Sequence, residues 1–141
     1  MQNMNNPIVL DTHVILWALL QPEELSEKIK QQINLTQENS QLFLSSISLW
    51  EIAMLKFKKR INVYEPITDF LKSITDINGL CIKDISPDIA AESVLLMDDF
   101  HGDPADRIIV ATAKCHGATL LTRDQRILSW ANLGHIKSVQ A

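Results

Sequence analysis

Short apolar runs alternate along this chain with longer segments in which apolar residues recur every three or four positions. Runs of the first kind are typical of buried strands, and segments of the second kind are typical of amphipathic helices. The pattern predicts strands at about 7–11, 41–44, 80–85 and 119–122, with an edge strand at 136–139. It predicts helices at about 12–20, 26–35, 46–57, 67–77, 86–97, 104–116 and 124–130. Because such alternation favours βαβ units, we predict an α/β fold with a parallel central sheet.

Residues with strong positional preferences mark several of these boundaries. Ser26 and Ser86 stand where helices begin, and a serine side chain there accepts a hydrogen bond from a free backbone N–H. Pro87 follows in the first turn, where the missing N–H is not needed. Gly79 and Gly117 come after the last apolar positions of two helices and are predicted to end them.

Length and composition place the chain among ordinary globular proteins. Its 141 residues, 46% of them hydrophobic and 21% charged, predict one domain spanning 1–141. The longest apolar run, Val14 to Leu20, is shorter than the roughly 20 residues that span a bilayer. The first residues carry no positive charge, unlike those of a signal peptide. We therefore expect a cytoplasmic protein that does not enter the membrane.

The cysteines and the net charge exclude further classes of protein. Cys81 and Cys115 lie in apolar patterns without a CxxC motif, so we expect buried thiols rather than a disulfide or a zinc site. The net charge of -4 argues against a protein that binds nucleic acid through bulk positive charge. It leaves open an enzyme that acts on nucleic acid through a bound metal ion.

Four acidic residues stand at positions that a parallel sheet would bring together. Asp11 directly follows the first predicted strand, and Asp124 follows the fourth with one residue between. Glu51 and Asp106 lie near the starts of helices, whose N-termini surround the crevice at the carboxyl ends of such strands. Carboxylates gathered in one crevice repel one another unless a cation joins them, and oxygen-only ligands suit Mg²⁺ or Mn²⁺.

Each acid also has an ordinary structural explanation. Asp11 and Asp124 are suitable N-caps for the helices that follow them. Asp106 occupies the third position of a helix that Asp103 can cap, and Glu51 lies three residues after a serine, which is the spacing of a capping box. Capping explains each residue singly, whereas four acids from four segments at one edge favour a shared metal site.

Four segments of the chain resemble PIN-domain proteins, and specifically the VapC-type toxin ribonucleases. They come in the family's order and span nearly the whole chain, so together they are specific for the fold. The segments are Ile-Val-Leu-Asp-Thr-His at 8–13, Ser-Ser-Ile-Ser-Leu-Trp-Glu-Ile-Ala at 45–53, Asp-Pro-Ala-Asp-Arg-Ile-Ile-Val-Ala-Thr-Ala at 103–113 and Thr-Leu-Leu-Thr-Arg-Asp at 119–124.

The resemblance implies a PIN-like three-layer fold with a five-stranded parallel sheet flanked by helices, and a Mg²⁺- or Mn²⁺-dependent endoribonuclease activity. Thr12 and Thr122 match hydroxyl positions that support the site, and Asp103 matches an outer support or a helix cap. The residues that match the family's catalytic and metal-binding carboxylates are Asp11, Glu51, Asp106 and Asp124.

The resemblance also implies partners. VapC-like proteins act on RNA, pair with a small VapB-like antitoxin that covers the active-site groove, and form homodimers. An acidic pocket would attract an arginine or lysine of such an antitoxin. This chain departs from the family at 97–102, where relatives often carry a more apolar segment that contains proline.

Other residues near these segments admit two interpretations. Arg107 and Arg123 neighbour proposed ligands and would steady carboxylates, contact phosphate or simply lie on the surface. We expect His13 and His101 to be polar surface rather than catalytic. Four cations close a helix, where they would hold the RNA backbone or would simply be solvated at the negative end of the helix dipole: Lys56, Lys58, Lys59 and Arg60. The three tryptophans fall on apolar helical stripes, which predicts core or interface positions: Trp17, Trp50 and Trp130.

Two rival functions remain at this point. One is a different enzyme on the same architecture, such as a phosphatase or a DNA-flap nuclease, although Asp11 is followed by Thr12 rather than by an Asp-x-Asp motif. The other is a binding module without catalysis. The chain contains neither a GxGxxG nor a Walker A motif, which argues against a nucleotide cofactor.

Overall fold

The structure, a computed structural model, describes residues 6–96, 100 and 102–141. Within these residues five parallel strands form one sheet in the order β3-β2-β1-β4-β5. The strands are β1 Ile8–Leu10, β2 Leu42–Ser45, β3 Leu80–Lys83, β4 Thr119–Thr122 and β5 Ser138–Gln140. The helices are α1 Thr12–Leu20, α2 Glu27–Glu38, α3 Ser46–Phe57, α4 Ile67–Thr75, α5 Pro87–Leu95, α6 Pro104–Cys115 and α7 Gln125–Ala131, with a 3₁₀ turn at Pro22–Glu24.

The central strands are buried on both faces, which confirms the three-layer α/β prediction. Leu10 and Val9 are adjacent in β1, yet they belong to different hydrophobic clusters because successive side chains of a strand point to opposite faces. The cluster around Leu10 packs against Ile52 of α3 and Ile74 of α4. The cluster on the opposite face is built from strand and helix residues that include Val9, Leu120, Ile109, Val110 and Ile127.

The predicted helix starts are confirmed by side-chain caps. Ser26 Oγ accepts from the N–H of Ile29 at 3.3 Å, and Ser86 Oγ accepts from the N–H of Ile89 at 3.2 Å. Several predicted ends were wrong by a few residues. The second helix continues to Glu38 rather than stopping near 35, and the third strand ends at Lys83 rather than near 85.

Some predictions about burial were wrong. Trp50 is 58% exposed on α3, so it is not part of the core, and the interface position that the apolar pattern also allowed stays a prediction. Phe57, the last residue of the same helix, is 81% exposed. Cys115 is exposed and Cys81 is only partly buried, so neither is the fully buried thiol that we expected. Trp130 is buried as predicted, and Trp17 is half-buried.

The strand order places the carboxyl ends of β1 and β4 beside each other in the middle of the sheet. The chain leaves β1 toward β2 on one side, and β4 lies on the other side, so a topological switch point opens between β1 and β4. Open α/β sheets bind ligands at such a point. Asp11 and Asp124 follow these two strands and therefore lie at the crevice, as the sequence predicted.

Two further expectations concern the chain outside this centre. Residues 97–99 and 101, which make up most of the segment that departs from the family and include His101, lie outside the described residues. Over the described part of the chain, no helix is long and apolar enough to cross a bilayer.

Candidate metal-binding site

A cavity of about 390 Å³ opens at the switch point, and we call it the acid cavity. It collects acidic side chains from four separate parts of the sequence, with two arginines and two aromatic rings at its edge. The residues that line it are Asp11, His13, Trp17, Glu51, Asp103, Asp106, Arg123, Asp124 and Arg126. All four carboxylates that were predicted to meet are therefore brought together here.

Asp11 forms the floor of the acid cavity and is 8% exposed. Its Oδ1 accepts from the N–H of Thr12 at 2.8 Å, which caps α1, and its Oδ2 accepts from the hydroxyl of Thr122 at 2.6 Å. Burial raises the pKa of Asp11, while these two hydrogen bonds oppose the rise by stabilising the ionised form. The residue is thus both the helix cap and a carboxylate held in one orientation at the site.

Glu51 is held by α1 across the cavity. The hydroxyl of Thr12 donates to Glu51 Oε1 at 2.6 Å and lies 2.9 Å from the hydroxyl oxygen of Ser48. A capping box between Ser48 and Glu51 is ruled out, because α3 begins at Ser46 and its cap is Ser45. Burial raises the pKa of Glu51, and the charge of Asp11 raises it further. Glu51 is therefore not explained by helix capping.

Asp106 has a carboxyl group with a strongly raised pKa. Burial, followed by repulsion from the surrounding carboxylates, raises its pKa to about 7. Its backbone N–H donates to Asp103 Oδ1 at 2.9 Å, so Asp103 is the cap of α6 as well as a wall of the cavity. The carboxylates that repel it are, in order, Asp103, Asp11, Asp124 and Glu51.

Arg126 bridges two of the acids, although its position in the sequence did not predict this role. Its Nη2 lies 3.3 Å from Asp124 Oδ2 and 3.5 Å from Asp106 Oδ2. The hydrogen bond with Asp124 raises the pKa of Arg126, with a smaller influence from Asp106. This pairing does not reverse the raised pKa of Asp106, because the contact is long and the guanidinium is 66% exposed. Arg126 is the second residue of α7, and no sequence pattern predicts that its guanidinium reaches Asp106 of α6.

Asp124 joins the site from the end of β4. Its Oδ1 accepts from the N–H of Arg126 at 2.8 Å, which caps α7, and its own N–H donates to the hydroxyl of Thr122 at 3.1 Å. Thr122 therefore contacts two acids, since the same hydroxyl donates to Asp11. These contacts link the ends of β1 and β4 into one rigid corner of the cavity.

The donor set fits a divalent cation held partly through water. The cavity offers carboxylate oxygens without a thiolate, and their mutual repulsion is what a cation would relieve. As they stand, no three acidic, histidine or cysteine side chains of the described residues form a ready-made set of metal ligands. A cluster of carboxylates without three ready-made ligands is compatible with Mg²⁺ or Mn²⁺, because Mg²⁺ keeps several waters and takes only one or two carboxylates directly.

The other predicted residues fall outside the acid cavity or are already engaged. Arg107 donates to the carbonyl of Gly102 at 2.8 Å rather than to a carboxylate of the cavity. Arg123 lines the cavity, but its guanidinium donates to the carbonyls of Glu24 and Ala141. Of the four cations at the end of α3, Lys56 donates to a backbone carbonyl, and the others are exposed: Lys58, Lys59 and Arg60.

Comparison with known proteins gives the chain a family. A sequence model of the PIN domain matches residues 8–133. Ribonuclease VapC22 of Mycobacterium tuberculosis is 37% identical over 122 residues, which cover 86% of this chain and 90% of that protein.

Solved structures with the same fold include three complexes. A toxin–antitoxin complex from Klebsiella pneumoniae is 25% identical, covers 83% of this chain and 86% of that chain, and has a TM-score of 0.56. DNA-bound VapBC from Salmonella typhimurium is 17% identical, covers 96% and 98%, and has a TM-score of 0.68. VapBC2 from Rickettsia felis, bound to a promoter DNA fragment, is 18% identical, covers 94% and 97%, and has a TM-score of 0.67. At these identities the last two show likeness of fold.

Proposed function

This chain belongs to the PIN domain family, and from that premise we propose that it is a metal-dependent endoribonuclease and the toxin of a VapBC-like toxin–antitoxin pair. The observation that carries the proposal is the acid cavity, in which carboxylates from four segments meet at the switch point of the sheet. Capping alone does not require such a meeting. The likeness to ribonuclease VapC22 supports RNA as the substrate.

The proposed metal ligands follow from burial and orientation. Asp11 and Asp106 would hold Mg²⁺ or Mn²⁺ directly, and Asp124 and Glu51 would do so directly or through water. A bound divalent ion would supply a more acidic water molecule and would neutralise charge on the scissile phosphate. Asp106 supports this assignment, because a carboxyl group whose pKa is about 7 gains most from a neighbouring cation.

The chain's own side chains orient the reacting groups. Thr122 and the N–H of Thr12 fix both oxygens of Asp11, so the carboxylate cannot rotate away from the cavity. The hydroxyl of Thr12 fixes one oxygen of Glu51 and leaves the group in place to orient the attacking water and accept its proton. These roles match the predicted supporting positions, and Asp103 keeps α6 in register by capping it.

Arg126 has a role that depends on the state of the cavity. In the metal-free protein it partly neutralises Asp106 and Asp124. With a cation held by those carboxylates, the guanidinium, which is 66% exposed, would be free to contact a phosphate of the RNA at the cavity mouth. Lys58, Lys59 and Arg60 would hold the RNA backbone further along, because they are exposed cations on the neighbouring helix end.

The partners follow from the same chemistry. A small VapB-like antitoxin would inhibit the toxin by placing a cationic side chain in the acid cavity, and the solved complexes of like fold support such a partner. A homodimer and a cytoplasmic location, where RNA is available, complete the proposal.

The direct experiment measures cleavage of RNA by the purified protein. We expect cleavage in Mg²⁺ or Mn²⁺, none in EDTA, and a loss of at least about 100-fold in Asp11→Asn and Asp106→Asn. Asp84→Asn is the matched control, because Asp84 is an exposed loop carboxylate outside the cavity. Circular dichroism would show that each variant is folded. Asp11→Asn that is folded and cleaves RNA like the wild type would refute the proposal, and metal-dependent RNA binding without turnover would indicate a binding module.

The cationic helix end has its own test. If all three contact phosphate, replacing Lys58, Lys59 and Arg60 by glutamine should make the plot of log binding constant against log salt concentration less steep. The change in slope should correspond to the loss of about three phosphate contacts. An unchanged salt dependence would show that these residues are only a solvated helix end.

A further inference from the structure

A second cavity of about 460 Å³ lies beside the acid cavity, between α1 and the segment that follows α3. We call it the side groove. Its walls are mixed, with five apolar side chains and four polar ones, of which one is an arginine. The lining residues that matter here are Leu16, Trp17, Leu20, Leu55, Arg60 and Ile61. A groove of this kind suits a flat, partly apolar group that carries a negative charge nearby.

The side groove and the acid cavity are neighbours. His13 and Trp17 line both of them. A ligand with a phosphate at the carboxylates would therefore reach the side groove by passing the side chains of His13 and Trp17. In single-stranded RNA the group next to a phosphate along the chain is a nucleoside, whose base is free to turn into such a groove.

The indole ring of Trp17 lies between the two cavities and is held in one orientation. The guanidinium of Arg123 stacks over its ring at 4.0 Å. That guanidinium is itself fixed, because it donates to the carbonyl of Glu24 at 2.6 Å and to the carbonyl of Ala141 at 3.1 Å. A side chain that is already ordered loses little conformational entropy when a ligand stacks on it.

The charge around the side groove favours a polyanion. Lys59 adopts a left-handed backbone conformation with φ of 58°, and the N–H of Arg60 bonds back to the carbonyl of Leu55 at 2.8 Å. This turn brings Arg60 to the wall of the groove, with Lys58 and Lys59 exposed just before it. A cationic peptide drawn to the acid cavity would be repelled at this end, whereas RNA phosphates would be attracted.

We propose that the side groove holds one nucleobase of the RNA, adjacent to the nucleotide whose phosphate lies at the acid cavity, and that Trp17 stacks on that base. The inference rests on the proposed ribonuclease function and extends it by naming a base-binding site. Stacking of a base on an aromatic side chain tolerates different bases, so the groove contributes affinity and position more than sequence readout.

The test is a double-mutant cycle between protein and RNA. The probe is a short single-stranded RNA that the wild type cleaves at one bond in Mn²⁺, prepared with an abasic ribose at each flanking position in turn. We expect one abasic position to lower kcat/KM by roughly 5- to 150-fold in the wild type. In Trp17→Ala the intact RNA should be cleaved correspondingly more slowly, and the same abasic substitution should have no further effect.

Two more variants keep the result interpretable. Leu20→Trp fills the groove from a position that is 37% exposed and should also abolish the abasic effect if Trp17→Ala does not fold. Trp50→Ala removes a tryptophan that is 58% exposed and outside the groove, so the abasic effect should persist. The same effect in Trp17→Ala and in the wild type would overturn the proposal.

The remaining outcomes separate the two levels of the inference. If the wild type cleaves RNA but no flanking abasic position matters, the base site is wrong and the ribonuclease function stands. If Trp17→Ala cleaves every RNA like the wild type but escapes inhibition by the antitoxin, the groove belongs to the protein partner and the proposal is overturned. If the wild type cleaves no RNA in Mg²⁺ or Mn²⁺, the ribonuclease function fails and the base site falls with it.

Discussion

Replacing Asp106 by asparagine should make the metal-free protein more stable, although it removes a proposed catalytic group. The pKa of Asp106 is raised from 3.8 to about 7 in the folded state. Between these values the folded protein binds more protons than the unfolded chain, so the contribution of this group to stability falls as pH rises. Asparagine carries no charge and removes that pH-dependent loss.

The magnitude follows from the size of the shift. A change of about three units corresponds to about 4 kcal/mol at about 1.4 kcal/mol per unit, fully expressed above pH 7. The side chain is 14% exposed and pairs with Arg126, so solvent and that partner screen part of the effect. We expect Asp106→Asn to raise the free energy of unfolding at pH 8 by about 1–2 kcal/mol, which is roughly 3–8 °C in Tm.

The assay is urea or thermal unfolding followed by circular dichroism in EDTA at pH 8 and pH 5. The gain in Asp106→Asn should shrink at pH 5, where the wild-type carboxyl group is already protonated in the folded state. Asp84→Asn, the exposed loop control, should show no comparable gain. Adding Mg²⁺ should stabilise the wild type and leave Asp106→Asn nearly unchanged. The reasoning would be refuted if Asp106→Asn were less stable than the wild type at pH 8 in EDTA.

Three further predictions test the local structure. Gly79→Ala should lower the free energy of unfolding in urea by at least about 2 kcal/mol, because φ is +86° and a Cβ would lie 2.2 Å from the carbonyl oxygen of Gln37. Gly117→Ala, at φ +60° in open space, should lower it by only about 1 kcal/mol. Equal losses would contradict the steric argument. Lys59→Gly should stabilise the fold by about 0.5–1 kcal/mol, since φ is 58° at this residue, and a loss of stability would show that the lysine side chain makes a contact worth more than the strain. Thr122→Val removes the hydroxyl that donates to Asp11 Oδ2 at 2.6 Å, so the affinity for Mn²⁺ in a titration should fall about 10- to 100-fold. An unchanged affinity would mean that this hydrogen bond does not orient the carboxylate of Asp11.

The fold was largely predictable from sequence because its signals are local. The apolar runs of β1 and β4 and the serine caps of α2 and α5 reflect interactions within a few residues, and each was confirmed. Exposure was harder to predict. The periodicity that placed Trp50 on an apolar stripe does not say whether another element covers that stripe.

The candidate site was predictable to the level of its strand-end acids. Asp11 and Asp124 are recognisable in the sequence because they follow buried strands. The hydrogen bond from Thr12 to Glu51, in contrast, depends on how α1 packs against α3. The bridging position of Arg126 depends on the angle between α6 and α7. Such contacts between distant segments are set by tertiary packing, and no local pattern encodes them.

The central claim is that carboxylates from separate segments bind one divalent cation in the acid cavity. The most direct measurement is anomalous diffraction from crystals soaked in Mn²⁺. We expect a manganese peak in the acid cavity, bound directly by Asp11 and Asp106, which is absent from crystals of Asp11→Asn. A manganese peak elsewhere on the protein with the acid cavity empty would contradict it.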